Sequence, residues 1–132
     1  MTSIQSFYKY KTVILIDDND IDNFVNQTML VTSRFAETIH VRLNGEIALE
    51  LINTLTEDNY PDIVFVDLNM PVMNGFEFIQ NFKTINDQKQ VKARIVVLTS
   101  SIHQEDKLNV EKIDDNILFV RKPLSSQVLT DL

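Results

Sequence analysis

The chain has 132 residues, 44% hydrophobic and 23% charged, a length expected of one domain with its own core. It carries 12 basic against 19 acidic side chains and no cysteine, which excludes a disulfide framework, a thiolate nucleophile and a Cys-ligated zinc site. A net charge of −7 repels phosphate backbones, no apolar stretch approaches the ~20 residues that cross a bilayer, and Met1–Lys11 lacks the apolar segment of a secretory signal, so a cytoplasmic chain without nucleic-acid or membrane partners is expected.

Residues 1–10 are expected to form an N-terminal tail, with a single domain over 11–132. The first strand is Val13-Ile14-Leu15-Ile16, ending in Asp17-Asp18-Asn19-Asp20. Ile21, Phe24, Val25, Thr28 and Met29 then share one helical face, with Asp20 as the expected N-cap. Thr38-Ile39-His40-Val41 alternates in polarity and is expected at a sheet edge. Ala48, Leu51, Ile52 and Leu55 fall at i, i+3, i+4 and i+7 of a second helix. Ile63-Val64-Phe65-Val66 leads into Asp67 and the loop Leu68-Asn69-Met70-Pro71. Phe78, Ile79, Phe82 and Ile85 mark a third helix. Ile95-Val96-Val97-Leu98 ends in Thr99-Ser100-Ser101, and Ser101 with Gln104 has capping-box spacing for a fourth helix. Ile117-Leu118-Phe119-Val120 precedes Arg121-Lys122-Pro123, after which Leu124, Val128 and Leu132 begin a fifth helix. The first, third, fourth and fifth apolar runs are nearly continuous, as in strands buried on both faces.

Five strands alternating with five helices imply an α/β fold, a doubly wound parallel five-stranded sheet. Ligands of such sheets bind at the carboxyl ends of the strands. Asp17 and Asp18, Asp67, Thr99 and Lys122 each end a different predicted strand and therefore share that rim. Clustered carboxylates are best relieved by a hard divalent cation such as Mg²⁺. An Asp beside Mg²⁺ and Lys can act as nucleophile toward a phosphoryl group, with the metal, the Lys and the Thr hydroxyl placed on its oxygens. Taken singly, these residues have ordinary roles. An Asp after a strand caps the next helix, Asp67 can be a turn residue, Thr99 and Ser100 can be caps, and Lys122 can be a solvated charge. Capping explains at most one of Asp17 and Asp18, and the joint occurrence favours function. His40 and His103 are expected to be surface or strand residues rather than ligands.

Four motifs stand in order: Val13 to Asp18, Val66-Asp67-Leu68-Asn69-Met70-Pro71-Val72-Met73-Asn74-Gly75, Val97-Leu98-Thr99-Ser100 and Val120-Arg121-Lys122-Pro123. Through them the chain resembles the CheY-like receiver domains of two-component response regulators over Lys11 to Leu132. The resemblance implies a flavodoxin-like strand order 2-1-3-4-5. It implies that Asp67 accepts a phosphoryl group from the phosphohistidine of a histidine kinase or histidine phosphotransfer protein. It further implies Mg²⁺ on Asp18 and Asp67, with Asp17 close by or acting through water and the Asn69 backbone carbonyl as a further ligand. Lys122 would pair with Asp67 and then with the phosphoryl oxygens, and Thr99 would swing its hydroxyl onto them. The Lys122–Pro123 bond is expected to be cis. Phe119 matches an aromatic switch position that is often Tyr, so a hydroxyl lock is replaced by packing alone. Asn69 and Ser101 match positions that tune phosphoryl lifetime.

Nine residues follow Pro123, so a short fifth helix is expected, which weakens the partner surface it would share with the fourth helix and fifth strand. No output domain is expected, so output would be contact with a downstream protein or onward relay, and the chain would be a signalling domain rather than an enzyme. A receiver acting as a phosphorylation-independent scaffold is one alternative. A flavodoxin-like nucleotide or flavin binder is another, but its first loop would need to greet phosphate with N–H groups, and Asp17, Asp18 and Asp20 repel it. A haloacid dehalogenase-type phosphatase would need a second acid where Asn69 stands.

Overall fold

The computed structural model describes residues 7–70 and 72–132. Residues 1–6 of the expected tail and Pro71 of the second motif lie outside the described residues. The elements run β1 (Tyr10–Ile16), α1 (Asp20–Thr32), β2 (Ala36–Arg42), α2 (Gly45–Thr54), β3 (Ile63–Val66), α3 (Gly75–Asn86), β4 (Arg94–Thr99), α4 (Gln104–Ile113), β5 (Leu118–Arg121) and α5 (Ser126–Asp131). Tyr10, assigned to the tail from sequence, opens β1.

The five strands form one parallel sheet in the order β2-β1-β3-β4-β5. Side chains alternate between its two faces, so each central strand feeds two cores. Ile14, Ile16, Val64, Val66 and Val97 meet Ala48 and Ile52 of α2, Phe78, Ile79 and Phe82 of α3 and Val110 of α4. Val13, Leu15, Ile63, Phe65, Val96 and Leu98 meet Leu30 of α1 and Leu124, Leu129 and Leu132 around α5. The helices thus cover both faces, as the alternation of elements requires. Among the described residues, no helix is long and apolar enough to cross a membrane.

Four local expectations are corrected. The apolar run Ile117–Val120 reads as a strand buried on both faces, but β5 is an edge and leaves Leu118 45% exposed. The N-cap of α1 is Asn19, whose side chain accepts from the Asp22 N–H, and Asp20 is the first helical residue. α4 is capped by His103 with no side-chain bond, because Ser101 is engaged in a turn with Thr99 instead. The largest departure is the orientation of α1. Its apolar stripe faces outward, with Ile21 74%, Phe24 71% and Val25 43% exposed, while Asn23, Asn26 and Leu30 face in. Specific bonds set that orientation. Asn23 Nδ2 donates to the Asp17 carbonyl at 2.8 Å, and Asn26 Oδ1 accepts the Leu124 N–H at 2.9 Å. Turning the helix to bury Phe24 would leave both backbone groups unpaired inside the protein, a loss of about 1–3 kcal/mol each.

Candidate functional site

The parallel order brings the carboxyl ends of β1, β3, β4 and β5 to one rim. Asp17 follows β1 and is almost fully buried, Asp18 beside it is exposed, and Asp67 follows β3 and is buried. One carboxylate oxygen from each of Asp17, Asp18 and Asp67 lies within 4.8 Å of the others. The backbone fixes this convergence. The Asp67 N–H donates to the Ile16 carbonyl at 3.0 Å, which ties the two strand ends together. Gly75, at the start of α3, lies against the same loop. A Cβ there would stand 2.5 Å from the Asp67 carbonyl oxygen and 2.5 Å from Leu68 Cα, so only glycine permits the approach. Asn74 and Glu77 close a capping box at that helix start, a signal not used in the sequence reading.

Lys122 enters from the end of β5, and its backbone N–H donates to the Thr99 carbonyl at 2.8 Å. The bond to Pro123 is cis, as the resemblance implies. Its side chain is only 9% exposed, and Nζ stands 2.6 Å from Asp17 Oδ2, 3.0 Å from Asp22 Oδ2 and 3.6 Å from Asp67 Oδ2. Lys122 thus forms an ion pair with Asp67 at 3.6 Å, as the resemblance implies. Its hydrogen bonds go to Asp17 and Asp22, and Asp67 is a neighbour just beyond hydrogen-bond reach. Asp22 is absent from the sequence-derived set. A signal for it existed: Asn23, Asn26 and Leu30 form a stripe of helical spacing, and Asp22 flanks it in the first turn.

Electrostatics follow from this crowding. Burial pushes the Asp67 carboxyl above its ordinary value, the charge of Lys122 opposes that, and Asp17 and Asp18 add to the rise. Burial alone would lower the Lys122 ammonium, but bonds to Asp17 and Asp22 and the charges of Asp17 and Asp67 outweigh it and raise it. The donor set fits a hard cation. All three carboxylates offer oxygen, two of them are buried, and their repulsion is what a divalent ion relieves.

The remaining predicted residues sit around this core. The Asn69 N–H donates to Asp67 Oδ1 at 3.3 Å, and its side chain is exposed. The Thr99 hydroxyl is buried and donates to the Ser101 carbonyl at 2.9 Å, turned into its own loop. Phe119 is half-buried against the α2–α3–α4 core. His40 is half-buried on β2, where burial and Arg42 lower its imidazole, and His103 is exposed; neither joins the rim cluster.

Comparisons with known proteins agree with this geometry. The family model of the response regulator receiver domain matches residues 13–132. The nitrate/nitrite response regulator protein NarL of Escherichia coli K12 is 33% identical over 95 residues, covering 72% of this chain and 40% of that protein. The chain thus spans about two-fifths of that relative's length. A two-component response regulator from Cytophaga hutchinsonii superposes with a TM-score of 0.83 at 34% identity over 93% of both chains. Chemotaxis protein CheY4 of Vibrio cholerae shares the fold with a TM-score of 0.73 at 24% identity, over 92% of this chain and 94% of its own.

Proposed function

The chain belongs to the response regulator receiver family of two-component signalling, and from that membership we propose that it takes a phosphoryl group onto Asp67 and thereby changes its affinity for a downstream protein. The donor is the phosphohistidine of a histidine kinase or histidine phosphotransfer protein. One observation carries the reading: three carboxylates, two of them buried, converge within 4.8 Å on a rim that also holds a buried ammonium.

When bound, Mg²⁺ on Asp18, Asp67 and the Asn69 carbonyl, with Asp17 close by, supplies positive charge to the phosphoryl oxygens. The chain's own residues do the rest. An Asp67 carboxylate oxygen attacks phosphorus, an O–P bond forms as the P–N bond to the donor imidazole breaks, and the imidazole leaves with that electron pair. Lys122 stands 3.6 Å from the attacked carboxylate, close enough to meet the added charge. The Thr99 hydroxyl can exchange the Ser101 carbonyl for a phosphoryl oxygen, which draws on the β4–α4 loop, and Phe119 follows by packing. No external substrate is turned over, so the chain acts as a signalling domain. A cytoplasmic setting suits a partner that draws its phosphoryl group from ATP.

Incubation with Mg²⁺ and acetyl phosphate followed by intact mass tests the reading. The wild type gains ~80 Da and Asp67→Ala gains nothing. An adduct that persists in Asp67→Ala overturns it.

A further inference from the structure

The ammonium of Lys122 has three N–H donors and three carboxylate neighbours, but it bonds only two of them. The two bonded partners differ in kind. Asp17 is 1% exposed and would be left as a buried, uncompensated charge without the ammonium. Asp22 is 37% exposed, so water can replace the ammonium there at little loss. Asp22 also lies outside the Asp17–Asp18–Asp67 cluster that suits the cation, and it reaches Lys122 from α1 rather than from a strand end. Its place as a first-turn acid of α1 does not require the contact, since Asp20 is also an acid of that first turn. The pair lines an open cleft of about 320 Å³ with Val25, Asn26, Ser100 and Pro123, which leaves the lysine room to move.

We infer that Asp22 is a positioning residue that holds Lys122 toward α1 in the resting state and is the partner Lys122 gives up when Asp67 carries a phosphoryl group. This rests on the phosphoacceptor reading above. The order of exchange follows from reach and exposure: the third N–H cannot bond at Asp67, 3.6 Å away, until the ammonium shifts, and the bond given up in that shift is the one that leaves a solvated carboxylate at Asp22, while Asp17 keeps its own. Asp22 therefore competes with the phosphoryl group for one ammonium. In reaction with acetyl phosphate, the Asp67 O–P bond forms, the acyl O–P bond breaks and acetate leaves with the pair. Lys122 must shift toward phosphorus as charge gathers on the oxygens, and Asp22 opposes that shift.

The test compares wild type, Asp22→Asn, Lys122→Met and the double variant, each with saturating Mg²⁺ and acetyl phosphate. Asp22→Asn phosphorylates about two- to fivefold faster than wild type, the fold-change that corresponds to releasing a partly exposed ion pair. The same substitution in the Lys122→Met background changes nothing, because the effect passes through the lysine. NMR supplies a readout that a structural role would not move. The scalar coupling across the hydrogen bond from Lys122 Nζ to Asp22 Cγ disappears on phosphorylation of the wild type, while that to Asp17 Cγ remains. An Asp22→Asn rate at or below wild type, an equal gain in the Lys122→Met background, or an Asp22 coupling that survives phosphorylation overturns the inference while leaving Asp67 as phosphoacceptor. Failure of the wild type to gain ~80 Da overturns the phosphoacceptor reading, and this inference with it.

Discussion

At the amino ends of the strands, hydrogen bonds close on themselves; at the carboxyl ends, charges are left in tension. Asn86, which ends α3, exchanges two bonds of 2.9 Å with the backbone of Ala93 and accepts a third from the Tyr60 hydroxyl at 2.7 Å. Asp62 accepts the N–H groups of Lys11 and Thr12, and Arg94 and Tyr10 hold the Leu132 carbonyl. At the other end of the same strands, three carboxylates, Asp17, Asp22 and Asp67, crowd one ammonium. Two buried side-chain atoms near that rim, Asn23 Oδ1 and Asn26 Nδ2, have no partner among the described residues. Val72, in the loop after Asp67, holds a left-handed φ of 69° that a β-branched residue adopts only under strain. The contrast teaches a division of labour within one sheet: a fully paired end secures the fold, so the other end can keep groups whose mutual repulsion is useful.

Substitutions can break or sharpen this contrast, and thermal or denaturant unfolding in metal-free buffer reads them on one scale. Lys122→Met should have the largest effect, a loss of about 3–5 kcal/mol, because it strands the buried Asp17 charge. A loss below 1 kcal/mol would mean that the ammonium does not hold the rim together. Asn86→Ala should cost about 2–4 kcal/mol by leaving the Ala93 N–H and carbonyl and the Tyr60 hydroxyl unpaired, yet the phosphorylation rate should not change. Equal damage to both properties would dissolve the distinction between the two ends. Asp67→Asn should go the other way. A carboxyl raised on folding contributes stability below its ordinary pKa and loses it as pH rises through the folded value, so at neutral pH the charged form strains the fold. Removing the charge should raise stability at neutral pH, with the gain shrinking in acid. The smallest effect should come from Tyr60→Phe, about 1 kcal/mol for one hydroxyl bond. Burial raises the Tyr60 phenol from 10.0 to about 12. Its contribution is therefore complete below pH 10 and is lost toward pH 12, so wild type and variant should converge across that window.

Strand positions were legible because buried parallel strands write continuous β-branched runs, as Ile63–Val66 does, whereas their order came only with the family resemblance. The rim was legible for a related reason: residues that end successive parallel strands must be neighbours, so Asp17, Asp67 and Lys122 could be placed together without knowing the loops. What failed was face assignment on α1. Helical periodicity separates Phe24 from Asn23 but does not say which side meets the sheet, and here two backbone bonds outweighed apolar burial. The same blind spot hid Asp22, which belongs to the inner side of that helix. β5 misled for a different reason: an apolar run predicts burial only where both flanks are occupied, and the edge leaves Leu118 uncovered.

The hydrogen bond from Lys122 to Asp17 joins residues 105 positions apart. On the ribosome Asp17 and Asp67 are therefore made long before the lysine that stands beside them, and domains generally fold as units during synthesis. A nascent chain exposing Asp67 has the carboxylate without its counter-charge. Under the proposed phosphoryl transfer it is a poor acceptor until β5 has been added at the sheet edge. On that proposal, competence to receive a phosphoryl group arrives with β5.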